Sequence, residues 1–468
     1  MFADRQCRQR VLLFVALFVI TLGVLFFLFP PFYTFDSYDY LDLALHPRIG
    51  ESHPLGFGLL LRLLFFIGHP FGIKPDRMLV IWNAFCVSAG LFFCLTQIGW
   101  RSLESVKTTP KAKLILQVMA LAMLAVLVFP AWLFIGNSFW AECSVILQTL
   151  LFCWFLRKTE KLSLGAVVGI GAVLAIWCYQ TKYSALVYFV AIMAVAVLPK
   201  LRLTRLKIER PLLKKLVLAS VVCFAAIKLT NVVLTQFYPK TEGQLYGANF
   251  VLRNSMVCTL RCEADLYEKN CSTEEGRQLI ENTPCNDIYW GKVSLGNPKL
   301  GFLSSPLANF KALGPYRSLK WFILAPFKYL QGIHATEMGL FSFGIDKGAV
   351  DAYPETTAYF KDRFPAREAS PRFLALADDL NSLFTARVYH TLCAFLVLAS
   401  LWLIFSTKQI TTFFFAITCL GFYLLFAYLN HHVPFRYLIE VITPGVFAVF
   451  DAIGRRTNST PDQMNEAA

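Results

Sequence analysis

The sequence predicts an all-α polytopic membrane protein, and three observations carry that prediction. Of the 468 residues 56% are apolar and only 16% charged, with a mean hydropathy of +0.54. The apolar residues gather in runs close to the ~20 residues a helix needs to cross a bilayer. The charge is distributed as such a protein distributes it. A formal net charge of +14 could suggest a nucleic-acid partner, but the basic residues sit in short connectors between apolar runs. These are Arg5, Arg8 and Arg10; Arg101, Lys107, Lys111 and Lys113; Arg157, Lys158 and Lys161; and Arg455 and Arg456. The densest segment, Lys200 to Lys215, also holds Arg202, Arg205, Lys207, Arg210 and Lys214 against the single acid Glu209. Connectors of this kind lie on the cytoplasmic side, so nucleic acid is not expected as a partner.

Keeping every basic connector inside gives about ten spans, near 11–29, 78–98, 114–135, 138–157, 162–179, 184–199, 216–236, 386–406, 410–429 and 437–453, with both termini cytoplasmic. The first run has no small-residue cleavage site and ends at Pro30-Pro31, which reads as a retained signal anchor. The segment 55–67 is apolar but carries Arg62 in its middle. An arginine at mid-membrane costs at least ~2.5 kcal/mol, so this segment is expected as an interfacial helix on the outer face. Three regions result: a transmembrane module over 1–236 with its first outer loop at 30–77, a large outer loop over 237–385, and C-terminal spans with a short tail over 386–468.

The cysteines bear on the same topology. Nine of thirteen fall in the N-terminal tail or in spans, where cysteine behaves as a small hydrophobe. Cys258, Cys262, Cys271 and Cys285 lie together in the 237–385 loop. An even number in one polar loop predicts two disulfides and an oxidising compartment, with three pairings open. Zinc is disfavoured, because the spacing is not that of a CxxC pair and no histidine interleaves. All seven histidines fall on or near the outer face of this topology.

Three carboxylates, Asp36, Asp39 and Asp42, crowd the point where the chain leaves the first span, followed by His53-Pro54-Leu55-Gly56-Phe57. Asp36, Asp39 and Tyr40 share one face of a predicted short helix. Asp39 and Asp42 also suit a plain helix-start role, since acids in a first turn contribute ~0.3–1 kcal/mol. Asp36, the first acid off the membrane, points instead to chemistry on a membrane-borne substrate. Glu142 is a lone acid at the mouth of the fourth span, expensive unless it meets water or a partner. Lys182, in Gln180-Thr181-Lys182-Tyr183, and Arg436, in His431-His432-Val433-Pro434-Phe435-Arg436-Tyr437, are outer cations. Outer acids with outer Arg, Lys and His suit a substrate with a lipid tail and a phosphate reacting with an alcohol: the phosphate needs cations and the alcohol a base.

An acid directly after the first span, a His-Pro-Leu segment opening an interfacial helix, a second outer acid, a Lys-Tyr tip and a closing His-His-x-Pro-Phe-Arg-Tyr together resemble the GT-C superfamily of membrane glycosyltransferases. That group includes protein O-mannosyltransferases, the aminoarabinose transferase of lipid A and arabinofuranosyltransferases. The likeness covers residues 1–236 and the terminal segment. It implies a GT-C-like fold and transfer of a sugar from a polyprenyl-phosphate donor to a glycan, lipid or protein hydroxyl at the extracytoplasmic face, in a bacterial inner membrane. Asp36 would then be the catalytic acid and Glu142 the second-loop acid. Many members have two adjacent acids in the first motif where this chain has Asp36-Ser37, so Asp39 either substitutes or Asp36 acts alone. One carboxylate fewer also weakens the case for a divalent metal, and no cofactor is required. Arg436, Lys182, Arg62, His53, His432 and Tyr437 are the residues expected around the donor phosphate. Two other readings remain: an O-antigen polymerase or ligase, whose groups would be loop Arg and His such as His334, and a lipid or solute transporter.

Overall fold

The computed structural model describes residues 2–27, 35–49, 53–98, 111–138, 141–202, 204–239, 248–264, 268–283, 306–332, 386–429 and 435–456. These residues form helices with no strand among them. In chain order they are α1 (Phe2–Phe27), α2 (Phe35–Leu45), α3 (Leu55–Gly68), α4 (Pro75–Ile98), α5 (Lys111–Met123), α6 (Phe129–Gly136), α7 (Cys143–Thr159), α8 (Leu164–Thr181), α9 (Leu186–Val197), α10 (Arg210–Phe237), α11 (Ala248–Leu260), α12 (Glu268–Cys271), α13 (Glu274–Asn282), α14 (Pro306–Gly332), α15 (Ala386–Ser406), α16 (Ile410–Leu429) and α17 (Phe435–Arg456).

Eight described segments are long and apolar enough to cross a membrane: Cys7–Phe27, Arg77–Ile98, Leu114–Gly136, Leu164–Thr181, Arg210–Phe237, Val388–Ser406, Ile410–Tyr428 and Tyr437–Gly454. The chain is therefore an integral membrane protein, with two of the expected spans shorter than the hydropathy implies. The run 138–157 becomes helical only from Cys143, because Asn83 Nδ2 donates to the carbonyls of Gly136 (3.0 Å) and Ser138 (3.1 Å) and holds them in a turn. The run 184–199 begins as a 3-10 turn over Tyr183–Ala185 after an extended Lys182, leaving 12 residues of α-helix in α9. The Arg62 segment is the 14-residue α3, about 21 Å long at 1.5 Å per residue and short of a ~30 Å hydrocarbon core.

The Leu114–Gly136 span shows how sequence shapes a helix locally. Pro130 has no N–H to give and crowds the carbonyl four residues earlier; the turn ahead of it, Leu124–Val128, widens to π-helix. The core is dominated by aromatics whose polar tips are met. Trp132 Nε1 donates to Thr443 Oγ1 (3.1 Å), Tyr389 donates to the Leu127 carbonyl (3.0 Å), and the Tyr188 and Thr149 hydroxyls lie 2.7 Å apart.

At the basic end of the bundle two predicted connector cations turn out to be built into the structure. Arg157 Nη2 lies 3.0 Å from Oδ1 of the fully buried Asp451, whose other oxygen accepts from Thr411 (2.7 Å) and Thr412 (2.6 Å). Lys215 Nζ donates to the carbonyls of Thr159, Glu160 and Leu162, meeting groups the C-terminus of α7 leaves open.

The described part of the 237–385 stretch, α11 to α14, has its own small core around Met256, Leu260, Ile280 and Trp321. Cys262 is disulfide-bonded to Cys271, and Cys258 is also disulfide-bonded; Cys285 lies outside the described residues. α14 is broken at Gly314, whose φ of 78° lies in the left-handed region, and Pro315 starts the second segment. Pro326 cannot donate to the Phe322 carbonyl, and the Tyr428 hydroxyl does so instead at 2.9 Å, pinning α14 to α16. The Glu263 carboxylate, 2.5 Å from Lys320 Nζ, holds that ammonium above its usual pKa.

Candidate functional site

The site is built from four chain segments that meet at the end of the bundle opposite Arg157 and Asp451. The expected short helix after the first span is α2, and it carries Asp36 in its first turn; the Asp36 side chain lies outside the described residues. Asp39, expected as an exposed helix-start acid, is only 6% exposed. Its Oδ2 is 3.3 Å from His53 Nε2 and its Oδ1 3.8 Å from Arg48, while Arg48 also pairs with Asp42. Both acids thus meet cations from the chain after α2: Arg48 reaches Asp39 and Asp42, and His53 reaches Asp39. The rings of Tyr40 and His53 lie 4.4 Å apart, and Tyr40 stands edge-on to Phe57 at 4.7 Å.

The second group centres on Lys182. Its Nζ is 2.6 Å from Glu142 Oε1, it pairs equally with Glu440, and it lies over the Tyr437 ring at 4.9 Å from the centroid. Ser184 Oγ donates to the other Glu440 oxygen at 2.6 Å. All three charged groups are buried: Lys182 is 7% exposed, Glu142 1% and Glu440 0%. The helix ends favour these charges. Glu142 caps the positive N-terminus of α7 and Lys182 the negative C-terminus of α8, each worth ~0.3–1 kcal/mol. Trp82 Nε1 donates to Ser144 (3.2 Å), fixing the first turn of α7 against α4.

These contacts change the expectation for Lys182. Among the described residues Lys182 is engaged by both glutamates, so it is well placed to fix them in position. Glu440 escaped the sequence reading, yet its signal was the one that found Glu142: a lone acid inside an apolar run.

The two groups adjoin. Ala141, next to Glu142, packs in one apolar cluster with Tyr40, Leu41, Phe57 and Leu61. A Cβ on Gly56 would stand 2.5 Å from both the Cβ and the carbonyl oxygen of Gln180, so only glycine lets the start of α3 rest on the outer end of α8. Tyr437 stacks on Phe426 at 5.0 Å. Arg62 is exposed on α3. Arg436 lies on the first turn of α17 with its side chain outside the described residues, as is all of His432. Among the described residues no three His, Cys, Asp or Glu side chains are grouped to hold a metal ion.

No family model, curated protein or solved structure matches this chain.

Proposed function

We propose that this protein is a GT-C-type glycosyltransferase that moves a sugar from a polyprenyl-phosphate donor to a hydroxyl of a glycan, lipid or protein acceptor, in a bacterial inner membrane with the site facing the periplasm. The observation that supports it is convergence. Acids and cations from the first outer segment, from the outer ends of α7 and α8 and from the start of α17 are buried together at one end of a membrane bundle. Buried ionisable groups in such a setting are expensive and mark function.

The reaction is a single displacement with inversion. The Asp36 carboxylate takes the proton of the acceptor hydroxyl as its oxygen forms a bond to the anomeric carbon. The bond from that carbon to the phosphate oxygen breaks, and its electron pair leaves with the polyprenyl phosphate, a stable anion that needs no general acid. Arg436, Arg62, His53 and His432 hold the phosphate; Lys182 keeps Glu142 and Glu440 in place; Asp39 orients His53. A membrane transporter is the second reading, favoured by the buried Lys182 cluster.

The test is a transfer assay on purified variants with a polyprenyl-phosphate sugar. Asp36→Asn should lower transfer by ~10²–10⁴-fold with elution and donor binding near wild type. Near wild-type transfer by Asp36→Asn together with a dead His334→Ala would hand the function to a polymerase or ligase. Solute flux in liposomes with no covalent product would hand it to a transporter.

A further inference from the structure

We propose that the basic end of the bundle holds one anionic phospholipid, with an acyl chain in a cleft between α1, α4 and α7 and its phosphate on Arg10 and Arg157. The cleft has a volume of about 450 Å³ and is walled by Phe14, Phe92, Phe93 and Trp154. That size falls in the range of roughly 300–1,000 Å³ found for small-molecule sites, and mostly apolar walls with a few placed polar groups are how such sites are built. It lies far from the Lys182 cluster: Glu142 stands at one end of α7 and Arg157 near the other, 15 residues or ~23 Å apart.

Charge decides which lipid fits. Arg10 and Arg157 line the cleft and no Asp or Glu does. Arg10 makes no ion pair among the described residues and is exposed. Arg157 is set in place by Asp451, but that contact uses only Nη2 of a guanidinium with five N–H donors. Asp451 also accepts from Thr411 and Thr412, so its charge is shared among three donors and the remaining donors of Arg157 are left for a second anion. A neighbouring cavity of about 380 Å³ shares Arg157 and Gln97 and is lined also by Thr411 and Glu160, so the phosphate belongs on the arginine side of the cleft and the hydroxyls of a glycerol headgroup in that cavity. An exposed Trp154 beside the arginines suits the headgroup boundary of a bilayer. A zwitterionic lipid would bring no net charge to Arg10, whereas an anionic one supplies the charge that Arg10, the remaining donors of Arg157 and an apolar slot together select.

The experiment uses the delipidated full chain in a mild detergent, with phosphatidylglycerol, phosphatidylcholine and polyprenyl phosphate added separately, read by thermal unfolding and by native mass spectrometry. Phosphatidylglycerol should stabilise saturably and stay as a one-to-one adduct, and phosphatidylcholine should do neither. Arg10→Gln should weaken phosphatidylglycerol binding about five-fold, the effect of one basic residue near an anionic lipid. Ala89→Phe, which fills the cleft and leaves both arginines, should abolish the adduct; if that variant fails to fold, Arg10→Gln decides alone. Equal stabilisation by phosphatidylcholine, unchanged binding in Arg10→Gln, or displacement of phosphatidylglycerol by polyprenyl phosphate would each overturn the proposal.

Discussion

Replacing Lys182 by Met should be among the most damaging single changes in the molecule, and the charge count explains why. Lys182 Nζ lies 2.6 Å from Glu142 Oε1 and also pairs with Glu440. At an effective dielectric constant of ~20 one such contact is worth about 6 kcal/mol in gross attraction, opposed by several kcal/mol of desolvation for each ion. Removing the lysine takes away the cation that two buried carboxylates share, so ~3–5 kcal/mol of stability should be lost. At ~2 °C per kcal/mol for a large chain, the unfolding midpoint in detergent should fall by ~6–10 °C. Glu142→Gln or Glu440→Gln should cost much less, ~1–2 kcal/mol, because each leaves a one-to-one ion pair and a side-chain oxygen that still accepts. The triple variant Lys182→Met, Glu142→Gln, Glu440→Gln should recover roughly half of the loss, since it removes the uncompensated charge. Thermal unfolding of the four purified variants gives the ranking. A Lys182→Met protein that unfolds with the wild type, or a single Gln variant as damaged as Lys182→Met, would refute the reasoning.

Three further outcomes follow from the contacts. Asp39→Asn removes the charge that His53 and Arg48 meet in a buried setting, so it should cost ~1–3 kcal/mol in thermal unfolding. Gly56→Ala sets a methyl against the backbone of residue 180, which cannot move aside, and should cost ~1–3 kcal/mol and lower transfer while leaving the basic end of the bundle unchanged. Cys262→Ser opens a disulfide between residues 9 apart, and its small loop predicts a loss of about 3 kcal/mol; limited proteolysis of the outer region should show it first.

Some of this was settled by sequence alone. Helical class and membrane residence follow from composition and from the length of apolar runs, which are local sums that packing does not alter. The short helix holding Asp36 and the disulfide-bonded state of Cys258, Cys262 and Cys271 were legible for similar reasons: the spacing of Asp36, Asp39 and Tyr40 on one face, and four cysteines confined to one polar loop. Glu142 was legible as a lone acid in an apolar run, and Glu440 would have been by the same rule. What the tertiary structure decided was partnership. Which carboxylates enclose Lys182 depends on α7, α8 and α17 meeting at one end, and no property of the residues around 142, 182 or 440 records that meeting. The contacts of Asp39 depend on Arg48 and His53 returning to α2, which likewise leaves no periodic trace. The two shortened spans share the cause: hydropathy averages over a whole run, while the hydrogen bonds from Asn83 to Gly136 and Ser138 and the ion pairs of Lys182 delay the start of each helix. A charge's cost in a membrane is a local quantity, but the group that offsets it is supplied by whichever helix packs beside it.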